Sequence, residues 1–236
     1  MKALIDADIV AYRVACTLED DDAEDFVYAR AEDLIDNILV NTEATEYRLF
    51  LSGKNNFRYT IYPEYKAHRP KEKPFWLEKC RQYLIATFNA EVVDGQEADD
   101  ALGIAQTEDT IICSIDKDLL MIPGRHYNFV KDEFQEVTND SGMRHFYMQC
   151  LTGDRSDNIK GIEQIGPKKA EKILTGCITE QELFNAVREA YSNDAEFLMN
   201  GRVLWIRRKE NEDWKERFDT LIQEQARGTS LEDFKE

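Results

Sequence analysis

Acidic residues recur in this chain where a fold would gather them. Asp6 closes the apolar run Ala3-Leu4-Ile5, and Glu97-Ala98-Asp99-Asp100 follows the short apolar stretch at 91–93. Asp116-Lys117-Asp118 follows the run Thr110 to Ile115, and Asp154-Arg155-Ser156-Asp157 stands in the C-terminal half. Asp154 and Asp157, three apart, share one face if their segment is helical. Eight carboxylates from four segments, delivered to one rim, repel strongly unless cations sit among them. An all-oxygen donor set suits a hard divalent ion, Mg²⁺ or Mn²⁺, and no His or Cys is placed to make a zinc site. Each acid also has a structural alternative: Asp6, Asp154 and Glu97 as helix caps or dipole partners, Asp116 as the cap of a turn. The coincidence of all four segments favours cation binding.

A second pattern runs from Gly161 to Leu174, Gly-Ile-Glu-Gln-Ile-Gly-Pro-Lys-Lys-Ala-Glu-Lys-Ile-Leu. Two glycines bracket a tight turn and Pro167 opens a helix whose first turn carries Lys168 and Lys169. The dipole disfavours cations at that end, so the lysines point to a bound anion, with an ordinary helix–turn–helix connection as the alternative.

These side chains need strand ends and helix starts to hold them. The sequence predicts a first strand ending at Asp6, an amphipathic helix over 26–40 and a second strand over 47–51. Then come a helix from Pro74 to Phe88, a third strand over 91–93, a helix from about Glu97 and a strong strand over 110–115. Strand-like stretches follow near 127–130 and 134–138, and everything from Arg144 onward reads as helical. Strands alternating with helices imply a mostly parallel sheet, with active sites outside the carboxyl ends of its strands. The expected organisation is an α/β core over 1–143, with a short arch or clamp near 63–93, and a helical part over 144–236.

The 236 residues suffice for one sizeable core, and no apolar run approaches a membrane span. Met1-Lys2 leads into an apolar run too short for a signal-peptide core. Five scattered cysteines without CxxC spacing read as free thiols in a reducing cytoplasm. The net charge of −17 runs against binding of a polyanion. Distribution softens this: six acids crowd into Glu19 to Asp25, while basic residues concentrate over 66–81, at Lys160, Lys168, Lys169 and Lys172, and at Arg202, Arg207, Arg208 and Lys209.

In order along the chain, these motifs resemble the 5′→3′ exonuclease and flap endonuclease family, which includes the 5′-nuclease domain of bacterial DNA polymerase I and the phage exonucleases. The matching residues are Leu4-Ile5-Asp6 with Tyr12-Arg13, Pro63-Glu64-Tyr65-Lys66-Ala67-His68-Arg69 and Gly95 to Asp100. They continue with Ser114 to Leu120 and with Leu151 to Ile159 running on through Gly166-Pro167-Lys168-Lys169-Ala170. The spacing from Asn56-Phe57-Arg58 to Arg69 and the short length look most like podophage-type exonucleases.

The resemblance implies a PIN-like 5′-nuclease fold with a helix-hairpin-helix element near 151–175. It implies a two-ion Mg²⁺ or Mn²⁺ site from Asp6, Glu97, Asp99, Asp100, Asp116, Asp118, Asp154 and Asp157. Tyr65, Lys66 and Arg69 are implied at the scissile end, with Lys66 and Arg69 on phosphate; packing for Tyr65 and a solvated side chain for Lys66 are the alternatives. Gly161, Ile165, Gly166, Lys168 and Lys169 are implied to grip duplex backbone, an element that often holds K⁺ on its carbonyls. The implied enzyme is a monomer that hydrolyses DNA from a 5′ end to 5′-phosphate products, in the cytoplasm (a host's, if phage-encoded) and away from membranes. Flaps and RNA–DNA hybrids are further implied substrates. A structure-specific flap endonuclease, a PIN-type ribonuclease and a catalytically silent DNA-binding module are the competing readings; the small ribonucleases lack the glycine hairpin. Two departures stand out. Ser52 occupies a position where the family carries an acid after the second strand, and Asp8 replaces a small residue: it is expected to cap a helix, with supply of negative charge as the alternative.

Overall fold

Ala3, Leu4 and Ile5 are all buried although consecutive strand residues face opposite sides of a sheet. A strand apolar on both faces belongs inside a parallel sheet covered on both sides. The computed structural model of the chain, which describes residues 1–70 and 72–232, shows such a sheet. In chain order the elements begin β1 (Lys2–Asp6), α1 (Ala7–Ala15), α2 (Glu24–Thr42), β2 (Glu46–Ser52), α3 (Arg58–Ile61), α4 (Leu77–Phe88), β3 (Glu91–Val93), α5 (Ala98–Ala105) and β4 (Thr110–Cys113). They continue with a 3-10 turn (Asp118–Met121), β5 (Gly124–Asn128), β6 (Glu133–Val137), α6 (Asn139–Thr152), β7 (Gly153–Asp154), β8 (Ile159–Lys160), α7 (Pro167–Leu174), α8 (Glu180–Ala190), α9 (Asp194–Leu204) and α10 (Trp214–Glu232).

The chain forms two compact units. The first comprises Met1–Phe57, Pro70–Val137 and Ile206–Glu210; the second comprises Arg58–Arg69, Thr138–Trp205 and Asn211–Glu236.

In the first unit the sheet order is β3-β2-β1-β4-β5-β6, parallel except for β6, which runs antiparallel to β5. Ile5 pairs with Cys113 and Asp6 with Phe50, so β1 carries Asp6 one residue beyond its last pairing with β4. Helices α1, α2 and α4 pack on one another over Ala3, Ile5, Leu49, Leu51, Ile111 and Cys113, while α5 packs on β1 and β2.

The second unit is helical, with an aromatic core. Phe146, Phe184, Phe197, Trp214 and Phe218 meet with ring centroids 5.2–5.5 Å apart, close to preferred aromatic spacings. Gly201 is held to a hydrogen because a Cβ there would enter the Trp214 ring.

Three expectations need correction. The helix expected from Pro74 starts at Leu77, since the Pro74 carbonyl accepts the Leu77 N–H in a turn and the Trp76 indole is tied to the Glu19 carbonyl. The strong strand ends at Cys113; Ser114 still donates its N–H to the Tyr127 carbonyl at 3.2 Å while its hydroxyl bonds Asp6. The region after Arg144 is not all helical. Gly153, at φ +68°, ends α6 and opens the β7–β8 hairpin, so Asp154 and Asp157 do not share a helical face.

Candidate functional site

Strand order in the first unit runs 3-2-1 to one side and 4-5 to the other. The order reverses between β1 and β4, and open α/β sheets bind ligands beyond the carboxyl ends of the strands at such a point. Asp6 stands at one strand end and Ser114-Ile115-Asp116 leaves the other. A chain of hydrogen bonds joins them: Ser114 Oγ donates to Asp6 Oδ2 at 2.7 Å, the Asp116 N–H donates to Ser114 Oγ at 3.0 Å, and the Asp118 N–H donates to Asp116 Oδ1 at 2.9 Å. Asp6 also caps α1 through the Ile9 N–H at 3.1 Å. Asp6 is thus a helix cap, with the carboxylates of Asp8 and Asp116 within its electrostatic reach.

Glu97, Asp99 and Asp100 enter from the loop after β3. Glu97 caps α5, and Asp100 Oδ2 accepts the Glu97 N–H at 3.1 Å in a capping box. Asp100 is fully buried, and its Oδ1 accepts the N–H of Arg207 at 3.0 Å. Asp99, Asp116 and Asp118 are partly exposed.

The electrostatics of this rim are unfavourable as they stand. Burial, the neighbouring carboxylate of Asp8 and that of Asp116 push the Asp6 carboxyl up to about 7, against the bonds from Ser114 and Ile9. A carboxylate buried among carboxylates wants a cation, and the donors here are all hard oxygens. The residues therefore fit Mg²⁺ or Mn²⁺ by chemistry as well as by charge.

In the second unit Asp154 and Asp157 bring carboxylate oxygens within 4.8 Å of one another. Asp157 is the hub of a clasp. Tyr65 Oη donates to its Oδ2 at 2.7 Å, Lys66 Nζ lies 3.5 Å from the same oxygen, and Arg69 Nη2 donates to Oδ1 at 2.6 Å. The backbone reinforces it: the Lys66 N–H donates to the Asp157 carbonyl at 2.9 Å, with Lys66 at φ +55°, and Arg69 Nε donates to the Ser156 carbonyl at 3.1 Å. Tyr65 is buried, and the Lys66 ammonium lies 4.8 Å from its ring centroid. The three implied catalytic residues thus converge on one implied metal ligand.

The hairpin forms as the glycines suggested, with one difference between them. A Cβ on Gly161 would strike the backbone of Thr152 and Gly153, whereas one on Gly166 would meet nothing within 4 Å. Gly166 caps α7, Pro167 takes the first helical position, Ile165 donates its N–H to the Ile162 carbonyl at 3.0 Å, and Lys168 and Lys169 are exposed. The third basic group is mostly spent within the protein. Arg202 holds Asp213 through two bonds, Arg207 bonds Gln96 and lies 4.0 Å above the Phe57 ring, and Arg208 bonds the Met121 carbonyl.

Sequence reasoning missed three features. Asp8 does not cap a helix: it lies inside α1, accepts the Ser52 N–H at 2.8 Å and pairs with Arg81. Ser52, noted only for lacking a carboxylate, accepts the Ala98 N–H on its hydroxyl at 2.9 Å. Arg207, counted only as a basic residue, supplies an amide to Asp100.

A strand-order reversal with carboxylates at the strand ends is an arrangement that could hold a divalent cation in an α/β domain. The chain matches the family described as 5′-3′ exonuclease, N-terminal resolvase-like domain, over residues 2–148, and it belongs to that family. It is 28% identical to a DNA polymerase I of Caldicellulosiruptor bescii over 171 residues, which cover 61% of this chain and 20% of that protein. It is also 28% identical to a 5′-3′ exonuclease of Mycoplasmopsis pulmonis over 152 residues, 56% of this chain and 50% of the relative. The chain thus spans half or less of these relatives. Its fold resembles the bacteriophage T5 flap endonuclease in a pseudo-enzyme-product complex with DNA and metal ions, at a TM-score of 0.62 and 15% identity over 94% of this chain and 98% of that one. Among the described residues no helix is long and apolar enough to cross a membrane.

Proposed function

We propose that the chain is a divalent-metal-dependent 5′→3′ exonuclease that hydrolyses DNA phosphodiesters to 5′-phosphate products. The observation that carries this reading is the Asp6 rim: a buried carboxylate held among other carboxylates at the sheet's reversal point, in a chain of the 5′-3′ exonuclease family. Asp6, Glu97, Asp99, Asp100, Asp116, Asp118, Asp154 and Asp157 are the ligands proposed for two Mg²⁺ or Mn²⁺ ions. Such ions supply Lewis-acid stabilisation of the charge that develops as the phosphodiester is displaced. Lys66 and Arg69, preorganised on Asp157, meet the phosphate, with Tyr65 fixing the turn that carries them. Lys168 and Lys169 hold duplex backbone, and the hairpin carbonyls hold K⁺.

A feature of the first unit favours recessed or blunt 5′ ends over long flaps. Among the described residues between Lys66 and Glu97 there is one helix, α4, and it buries Leu77, Cys80 and Leu84 against the body of that unit rather than standing free as an arch. The test is cleavage of 5′-labelled duplex, flap and RNA–DNA substrates in Mg²⁺, Mn²⁺ or EDTA. Metal-dependent release of 5′-phosphate products from duplex ends is expected, and undiminished cleavage by the Asp116→Ala protein would overturn the assignment.

A further inference from the structure

The position where the family's second-strand acid is absent is not electrostatically empty. Asp8, from the first turn of α1, reaches across to the end of β2 and sets its Oδ2 on the Ser52 N–H at 2.8 Å. Arg81 of α4 closes the arrangement from the other side, bonding Asp8 Oδ1 with one nitrogen and the Ser52 carbonyl with another at 2.7 Å. Both side chains are mostly covered, at 20% and 23% exposure for Arg81 and Asp8. Ser52 is thereby gripped at its N–H and its carbonyl by a carboxylate and a guanidinium. Its hydroxyl meanwhile holds the Ala98 N–H, at the start of the helix that carries Asp99 and Asp100.

The pair stands beside Asp6, two residues from Asp8 in sequence and within its electrostatic reach. A carboxylate there would draw cations toward the rim, and the guanidinium cancels that pull. We propose that Asp8 and Arg81 are a charge-balancing positioning pair: Asp8 restores a carboxylate near the place where Ser52 lacks one, and Arg81 sets how much of its charge the metal rim feels. Neither touches substrate. The inference rests on the reading of the Asp6 rim as a divalent-cation site.

Charge balance moves cation affinity in opposite directions at the two residues, which a purely structural role does not. Removing the cation exposes the Asp8 carboxylate and tightens cation binding; removing the carboxylate leaves a lone guanidinium beside the rim and weakens it. The expected size is roughly tenfold in Kd each way, as for one unit charge acting on a divalent ion across partly hydrated protein. The experiment is calorimetric titration of the full chain with Mn²⁺, with thermal unfolding in EDTA as the check on folding. Arg81→Gln should lower the Mn²⁺ Kd, Asp8→Asn should raise it, and the double variant should return to near the parent value. Arg81→Lys, which keeps the charge, should match the parent; if Arg81→Gln does not fold, Asp8→Asn and Arg81→Lys carry the same test. Unchanged affinity in the folded single variants, or equal losses in both, would overturn the charge-balancing role. A parent that binds no Mn²⁺ would instead overturn the metal-site reading beneath it.

Discussion

Asp6 and Asp157 are the same residue type in opposite company. In the first unit Asp6 is buried with Asp8 and Asp116 nearby and is pushed up to about 7. In the second unit Asp157 receives a phenol, an ammonium and a guanidinium. One carboxylate is left to a proton or to a cation from outside the protein; the other already has positive charge from its own chain. A row of acids in a sequence is therefore not a row of equivalent ligands. Neighbours decide which acid waits for a cation and which organises the cations already present.

The widest gap between the two should come from Asp6→Asn. If Asp6 serves the ions, this change should lower turnover in Mg²⁺ by about a thousandfold, the loss expected for several kcal/mol of metal-assisted stabilisation. It should also reverse the sign of a stability effect. In metal-free parent protein the folded carboxyl holds its proton up to about 7, whereas the unfolded one releases it near pH 4. The parent's stability thus falls as pH rises between those values and is lowest above 7. Asn carries no such proton, so in EDTA the variant should gain on the parent from pH 5 to pH 8, as urea unfolding at both pH values would show. The same proton competes with cations, so half-saturating Mg²⁺ should rise below pH 7.

At Asp157 the expected result is the reverse. Replacement by Ala strands Lys66 and Arg69 and should cost about 3 kcal/mol of metal-free stability, in the range for breaking a partly covered ion pair. Tyr65→Phe should cost about 1–2 kcal/mol, and its coupling to Asp157→Asn in a double-mutant cycle should be about 1 kcal/mol. A metal-free Asp157→Ala protein as stable as the parent would show the clasp to be incidental. Smaller still, Lys168→Ala with Lys169→Ala should lower the logarithmic salt slope of DNA binding by about 2, since each phosphate contact contributes about 0.9. Last, Ser52→Ala removes the acceptor for the Ala98 N–H and should cost about 1 kcal/mol in thermal unfolding, as for loss of a helix cap.

The sheet was legible because its signals are local. β3 lies at 91–93 as read, β1 ends at Asp6, and Pro167 opens α7, since apolar runs, strand-end acids and a proline at a helix start act within a few residues. The acids at 6, 97–100 and 116–118 could be assigned to strand ends for the same reason. What escaped depends on partners far away in sequence. Asp8 looks like a helix cap until Ser52 and Arg81, 44 and 73 residues on, take its two oxygens. The Asp157 clasp spans about ninety residues, and no periodicity within 154–157 announces a turn rather than a helix. Arg202, Arg207 and Arg208 read as a basic stripe because sequence shows the charges and not the Asp213, Gln96 and Met121 that occupy them.

The Arg207 amide on Asp100 closes a loop of 107 residues. In a chain made from its N-terminus, the strands and all eight acids exist before that donor has been added. Until residue 207 arrives, the buried Oδ1 of Asp100 lacks the Arg207 amide. Because the entropic cost of closure grows only slowly with loop length, the delay is one of synthesis order more than of search. The nascent chain thus carries its acidic residues well before it can set them, and the rim reaches its final form late in the birth of the molecule.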